Sequence, residues 1–235
     1  MHFGLILSDP SHDTASRALL RDLCDRQLIP FSGFTDEPVP RFAGFTGDMD
    51  AFLRLCAQTL MRPGEAIPAD AAHRGNVIRR YVCLQLGLMP YIAAHPAVTE
   101  LDGGHLLGDS LFIAHLGEDG RIDAELPSGT WTDLFSGEQF SAARLRLMRS
   151  VNAMPVLAAP NSIIPIGVND RTPDYDYADR VTLHWFEPAA RASVTLPDGT
   201  KFTLTETDGA VSCETDTHAV YHVITHRSGE ESFIR

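Results

Sequence analysis

"LPSGTWTDLFSGE", residues 126–138, decides how the second half of the chain is read. It holds Trp131, one of two tryptophans in the chain, between glycine turns at Ser128-Gly129 and Ser136-Gly137. Tight alternation of apolar and polar residues is the period of a half-buried strand. The stretch therefore predicts a short strand pair in an all-β region. The same texture continues on both sides. Asp102-Gly103-Gly104, Glu118-Asp119-Gly120, Asp198-Gly199 and Asp208-Gly209 separate short runs rich in β-branched residues. Regular turns between short alternating runs indicate an antiparallel β-sandwich. Over residues 98–168, Leu111, Ile113, Leu126, Trp131, Val156 and Ile163 are expected to face its interior. Trp131 is expected to fill that core with its N–H bonded.

Before Pro96 the texture differs. "FGLILS" (3–8) reads as a buried strand. Residues 11–29 read as a helix capped by Ser11 or Asp13, with Ala18, Leu19, Leu23, Cys24 and Leu28 as its apolar stripe. Residues 30–47 read as a Pro/Gly/Phe-rich loop with a short strand at "PFSGF". A second helix is predicted over 48–61, ended by Arg62-Pro63-Gly64. A long helical pattern follows over 74–95, interrupted or ended near Pro90. Residues 169–180, "NDRTPDYDYADR", read as a polar loop leading into a further small antiparallel unit.

The chain has 235 residues, is 44% hydrophobic and carries a net charge of −12. That composition supports a real core. An acidic chain without a basic run is a poor partner for nucleic acid or anionic membrane, since phosphate contacts need clustered Lys and Arg. No apolar run approaches the roughly 18–20 residues that span a bilayer. The N-terminus lacks the basic region of a signal peptide. Cys24, Cys56, Cys83 and Cys213 are far apart and form no metal-binding spacing. Reduced core thiols and a cytoplasmic location are the expectation.

Three segments in order carry a resemblance. "GGHLLGDSLFIAHL" (103–116), with its Leu-Gly-Asp before an apolar strand, is followed by the Leu-Pro-x-Gly-x-Trp-x-Asp of 126–133 and by "MPVLAAPNSIIPIG" (154–167). Together they resemble the C-terminal β-sandwich of glycoside hydrolase family 31. "GVNDRTPDYDY" (167–177) followed by "VTLHWF" resembles its α-xylosidase branch. "RRYVCLQLGLMPYI" (79–92) resembles the helix ending in Leu-x-Pro-Tyr near the close of the family's catalytic barrel. The resemblance implies an α+β chain in three parts. These are a partial (β/α)8-barrel remnant over 1–96, a proximal C-terminal β-sandwich over 97–168 and a distal β domain over 169–235.

The resemblance also implies chemistry: hydrolysis of α-xylosides or α-glucosides with retention, without cofactor or metal, on an α-linked sugar or oligosaccharide. Asp9, in Leu7-Ser8-Asp9-Pro10, stands where the family's Trp-x-Gly-Asp places its acid/base. Asp36 stands at a substrate-binding aspartate, with Thr35 where the family has histidine. Arg62 stands at a substrate-side arginine, with Gly64 in place of the following histidine. Retaining hydrolysis needs two carboxyl groups about 5–5.5 Å apart. The family's nucleophile lies in a Trp-x-Asp-Met-Asn-Glu type strand, and this chain has no such segment. The chain is therefore expected to be inactive alone, as a C-terminal part or shortened homologue of such an enzyme. The alternatives are a non-catalytic sugar- or partner-binding β-sandwich protein and one subunit of a split glycosidase.

Each feature also has a structural reading. Asp9 and Asp13 can form a turn and cap the helix, and Asp36 can be a solvated loop carboxylate. His105, His115 and His184 show no metal spacing. His218, His222 and His226 recur every four residues, which puts them on one face of a strand. A solvated face is the expectation there. A barrel remnant should leave apolar surface on helices 48–61 and 76–95, and hence self-association or a partner chain that completes the barrel.

Overall fold

The computed structural model describes residues 5–10, 13–43, 45–117 and 119–228. The chain begins with β1 (Leu5–Ser8), α1 (Thr14–Arg26) and β2 (Phe31–Thr35). Then come α2 (Met49–Leu60), β3 (Ile67–Pro68), α3 (Gly75–Gly87) and the single turn α4 (Met89–Ile92). β1 is the middle strand of a three-stranded sheet and pairs in parallel with β2 and β3. Strands connected through helices become parallel neighbours because each crossover returns the chain to the same end of the sheet.

Asp13 caps α1. Its carboxylate accepts from the backbone N–H groups of Ala15 and Ser16. Ser11, the other expected cap, lies outside the described residues. The expected apolar stripe of this helix is overturned in part: Cys24 is buried, but Leu19 is 68% exposed and Leu28 is 54% exposed. Leu28 has left the helix and sits at φ 55°. α2 is capped by Asp48, which accepts from Ala51 N–H. The long 74–95 pattern breaks at Leu88, so α3 and α4 are separate elements on either side of it. Pro90 stands in the first turn of α4, where its missing N–H costs no helical hydrogen bond.

Apolar surface on α2 and α3 was expected, and the structure corrects this. Ala51, Leu53, Cys56, Ala57 and Leu60 of α2, and Val77, Ile78, Tyr81, Val82 and Leu86 of α3, are buried. All of these except Ala51 share one apolar cluster with Leu111, Phe112, Ile113, Trp131 and Val156 from the β region. The β region itself covers the helices. The under-covered helix is α1.

Fourteen short strands follow, in two groups. The first group is β4 (Val98–Leu101), β5 (Gly104–Leu107), β6 (Leu111–Ala114), β7 (Arg121–Glu125), β8 (Trp131–Asp133), β9 (Gln139–Phe140), β10 (Arg144–Met148) and β11 (Val156–Ala158). They form an antiparallel six-stranded sheet, β4-β5-β6-β11-β8-β9, and the pair β10-β7. The second group is β12 (Ser162–Ile166), β13 (Val181–Phe186), β14 (Arg191–Thr195), β15 (Lys201–Thr207), β16 (Ala210–Thr215) and β17 (Tyr221–His226). These make the sheets β12-β13-β17 and β14-β15-β16. β13 and β17 run parallel, and the other pairs of this group are antiparallel.

The segment that opened the reading behaves as its pattern requires. β8 pairs with β9 across the Ser136-Gly137 turn. Trp131 is 3% exposed and donates from Nε1 to Pro127 O at 2.8 Å. Asp133 Oδ1 accepts from Phe135 N–H, Ser136 N–H and Ser136 Oγ, which closes the turn. Ile163 behaves differently from the other five interior residues. It lies on β12, which pairs with β13, and it packs with Val181, Leu183 and Trp185 in a second apolar cluster. The neighbouring Ile164 points to the first cluster. Sheet β12-β13-β17 therefore has one core on each face, and β12, although it precedes residue 168, belongs to the later sheets.

Among the described residues, no helix is long and apolar enough to cross a membrane. The four cysteines are unpaired thiols, Cys24 and Cys56 fully buried. Burial pushes the Cys56 thiol up to about 12, so it is not a nucleophile at neutral pH.

Candidate functional site

β1 and β2 end side by side. Ser8 is in register with Thr35, and Asp9 N–H donates to Thr35 O at 3.0 Å. The residues that follow this last rung are Asp9 and Asp36. Two strands of a parallel sheet thus deliver two carboxylates to one rim, at the C-terminal ends where (β/α) folds carry their chemistry.

Arg17 joins them. It sits in the second turn of α1, and helical side chains lean toward the N-terminus. Its guanidinium therefore reaches back to the strand ends. Nε donates to Asp9 Oδ2 at 2.9 Å, Nη2 donates to Asp9 O at 2.8 Å, and Nη2 also pairs with Asp36 Oδ1. The hydrogen bonds it donates to Asp36 and then to Asp9 hold Arg17 above its ordinary value. The same guanidinium lies 5.2 Å from the centre of the Phe34 ring.

The two carboxylates differ in exposure. Asp9's side chain is 9% exposed and Asp36's is 56% exposed. Asp9 is fixed within the rim, and Asp36 is reached by solvent and solutes. A carboxylate engaged by a guanidinium accepts hydrogen bonds, whereas a general acid must carry a proton to deliver.

Beside the rim, on the face of the sheet that carries Ile6, lies a cavity of about 700 Å³. It is lined by Ile6, residues 32–35, residues 37–41 and residues 64–66. Its charged wall is Glu37, Arg41 and Glu65, and Arg41 Nε donates to Glu65 Oε2 at 2.7 Å.

Arg62 is placed elsewhere. It follows α2, is 3% exposed and points into the junction between the helices and the six-stranded sheet. Its Nη1 and Nη2 both engage Glu100 of β4, with Nη2 to Oε2 at 3.0 Å. Nη2 is also 3.2 Å from His105 Nδ1 on β5. His105 Nδ1 in turn lies 2.8 Å from His115 Nε2. Glu100 Oε1 stands 3.6 Å from Arg41 Nη2, so one carboxylate links the buried Arg62 to the cavity wall. The Arg62 hydrogen bonds hold Glu100 down to about 2. Burial, and then the Arg62 charge, depress His105 to about 3 and His115 to about 4. Both rings are neutral at pH 7.

The structure brings together Asp9 and Asp36 and keeps Arg62 apart from them as an internal brace. It also separates the 218/222/226 histidines. His226 is buried, lies 2.8 Å from His184 and stacks on Phe186 at 4.3 Å, while His218 and His222 are exposed. Burial, and then His226, depress His184 to about 3. Among the described residues, no group of three or more His, Cys, Asp or Glu is arranged to hold a metal ion.

Sequence reasoning missed Arg17 and Glu100. Arg17 looks like one more polar residue on a helix, and only the two aspartates that need a common cation give it a role. Glu100 alternates with apolar neighbours like any solvent-facing strand residue.

No family model matches the chain. Solved structures do. One is a Flavobacterium johnsoniae family 31 dextranase mutant complexed with isomaltotriose, at 20% identity and TM-score 0.63, covering 86% of this chain and 33% of that one. Another is a cycloalternan-forming enzyme from Listeria monocytogenes in complex with a pentasaccharide substrate. It matches at 18% identity and TM-score 0.58, covering 84% of this chain and 24% of that one. A third is a family 31 α-xylosidase from Xanthomonas citri, at 12% identity and TM-score 0.50, covering 90% and 26%. At these identities the likeness is one of fold. The chain spans a quarter to a third of the length of these structures.

Proposed function

We propose that this chain is the sugar-recognising C-terminal part, or a shortened homologue, of a retaining α-glycosidase of family 31, on the α-xylosidase or α-glucosidase side of the family. The observation that carries the reading is the pair of strand-end carboxylates. Asp9 and Asp36 leave neighbouring parallel strands and are joined by Arg17. An α-linked sugar at the rim donates hydroxyl protons to Asp36. Asp9 and Arg17 fix where Asp36 stands. Arg62 supports the rim from behind, through Glu100 and Arg41.

On this reading the chain alone does not hydrolyse the glycosidic bond. Its sequence contains no Trp-x-Asp-Met-Asn-Glu nucleophile segment. Asp9, engaged by Arg17, is an acceptor rather than a proton donor. Residues 1–96 then represent the closing part of a barrel. The open three-stranded sheet favours a second reading, in which a preceding segment or a partner chain supplies the remaining strands.

The test is binding of isomaltotriose and methyl α-D-xyloside by calorimetry or by amide chemical shifts. Shifts at Thr35 and Asp36 that vanish in Asp36→Asn support the reading. Binding unaffected by Asp36→Asn overturns it.

A further inference from the structure

The three segments that carry the family resemblance outside β8 meet at one place, and it is not the Asp9–Asp36 rim. Tyr91 ends the Leu-x-Pro-Tyr turn, Asp109 ends the Leu-Gly-Asp, and Asn161 and Ser162 open the Asn-Ser-Ile-Ile-Pro. All four residues border a second cavity, of about 530 Å³, together with β14 of the distal sheets. Its size falls within the ~300–1,000 Å³ of small-molecule sites.

The walls are fixed by buried hydrogen bonds. Tyr91 Oη donates to Leu107 O at 2.9 Å and accepts from Ser110 N–H at 3.0 Å. A side chain at Gly108 would meet Tyr91 Oη at 2.5 Å and His95 Cβ at 2.8 Å, so the Leu-Gly-Asp turn can press against α4 only as glycine. On the facing wall the Asn161 side chain makes three hydrogen bonds. Its Oδ1 accepts from Trp185 Nε1 and Ala189 N–H, both at 3.0 Å, and its Nδ2 donates to Arg191 O at 3.1 Å. The cavity is thus pre-formed, with three parts of the chain holding it in shape.

Among the described residues, its lining contains no Arg or Lys. That removes the cations that phosphates, nucleotides and acidic ligands require. What remains is the Thr195 hydroxyl, the Ser110, Ser162 and Ser193 hydroxyls, the exposed carboxylate of Asp109, and the His95 ring, which packs at 4.9 Å against Tyr91. Ser110 Oγ donates to Asp109 Oδ1 at 2.7 Å, Ser162 Oγ donates to Ala159 O at 2.6 Å, and Ser193 Oγ lies 2.9 Å from Thr203 Oγ1, so Ser110 and Ser162 meet a ligand as acceptors. Hydroxyls both donate and accept, and a carboxylate accepts from adjacent hydroxyls. We infer that the cavity between α4, the Leu-Gly-Asp turn and β14 is a second binding site, and that its ligand is a neutral polyhydroxylated ring such as a pyranose. The inference goes beyond the proposed function, because it needs neither Asp9 nor Asp36.

The test uses the full chain, 15N-labelled, titrated with methyl α-D-glucopyranoside. The expected result is a saturable shift of the Ser110, Ser162 and Thr195 amides. Thr195 is exposed, so Thr195→Tyr fills the cavity without touching a core, and it should weaken the response at least about tenfold. Asp109→Asn should weaken it less. Asp36→Asn should leave the cavity response unchanged, so loss of the rim reading and loss of this one are separable. No shift of these amides overturns the inference, as does a shift insensitive to Thr195→Tyr. So does a response to an extended peptide paired along β14 in place of the glycoside.

Discussion

Arg17 Nε stands 2.9 Å from Asp9 Oδ2, and it reaches there from a helix that starts five residues after that aspartate. The contact turns a strand end, a tight turn and a helix start into one rigid corner. Asp9's side chain is 9% exposed, so the guanidinium is part of what makes its charge tolerable there. Arg17→Ala should destabilise the chain, because it removes the donor that faces the Asp9 carboxylate. Asp9→Asn in the Arg17→Ala background should recover part of that loss, measured by urea unfolding. An additive double variant would show that the pair is not coupled.

The Arg62–Glu100 pair is asymmetric, and its variants should be too. Arg62 is 3% exposed and Glu100 is 59% exposed. Glu100→Ala strands a buried cation, and breaking a buried pair in that way costs about 3–5 kcal/mol. Arg62→Met leaves behind a carboxylate that water can reach, so it should cost less. The double variant should lie closer to Arg62→Met than to Glu100→Ala. Equal losses for the two single variants would contradict the assignment of Arg62 as an internal brace.

Acid should unfold this chain through its histidines. His105, His115 and His184 have folded values of about 3, about 4 and about 3, against an ordinary 6.5. The unfolded chain binds protons that the folded chain refuses, so stability is full above pH 6.5 and falls as pH drops toward 4. Each group contributes a slope of up to about 1.4 kcal/mol per pH unit. Glu100, held down to about 2, adds stability that is present above about 4.5 and lost as pH falls through about 2. Melting temperature should therefore decline steadily from pH 7 to pH 4.5, with a shallower decline in His184→Phe. A flat profile over that window would contradict the burial of these rings.

The turn after β8 gives a local test. One oxygen of Asp133 accepts three hydrogen bonds and the residue is 8% exposed. Asp133→Ala leaves those donors without their acceptor and should cost about 1–3 kcal/mol. Asp133→Asn keeps an acceptor oxygen and should cost less, read by thermal unfolding.

The β region was the legible part of the sequence. Glycine turns and period-two alternation report a half-buried strand locally, so Trp131 and its hydrogen-bonded N–H could be expected from residues 126–138 alone. Pairing between distant strands leaves no such trace. Nothing in "SIIPI" distinguishes a strand that closes one sheet from a strand that opens the next, and β12 proved to belong with β13. The first helix misled for a related reason. Its apolar residues describe a face, but what covers that face lies elsewhere, and Leu19 remains 68% exposed. At the site, a sequence shows the carboxylates but not their distance to a cation. Asp9 and Asp36 were legible as candidates, and Arg17 was not. Arg62 was legible as an arginine after a helix, while its burial against Glu100 depends on a strand far along the chain.

The proposed role of the Asp9–Arg17–Asp36 rim is to hold an α-linked sugar without cleaving it. The direct measurement is release of the aryl group from aryl α-D-xyloside and aryl α-D-glucoside by the purified chain, beside its Asp9→Asn variant. No measurable release by either protein is expected, because retaining hydrolysis needs a free nucleophilic carboxylate beside an acid that carries a proton, and Asp9 and Asp36 are both engaged by Arg17. Robust turnover that disappears in Asp9→Asn would contradict it, making Asp9 a working acid/base and the chain an enzyme in its own right.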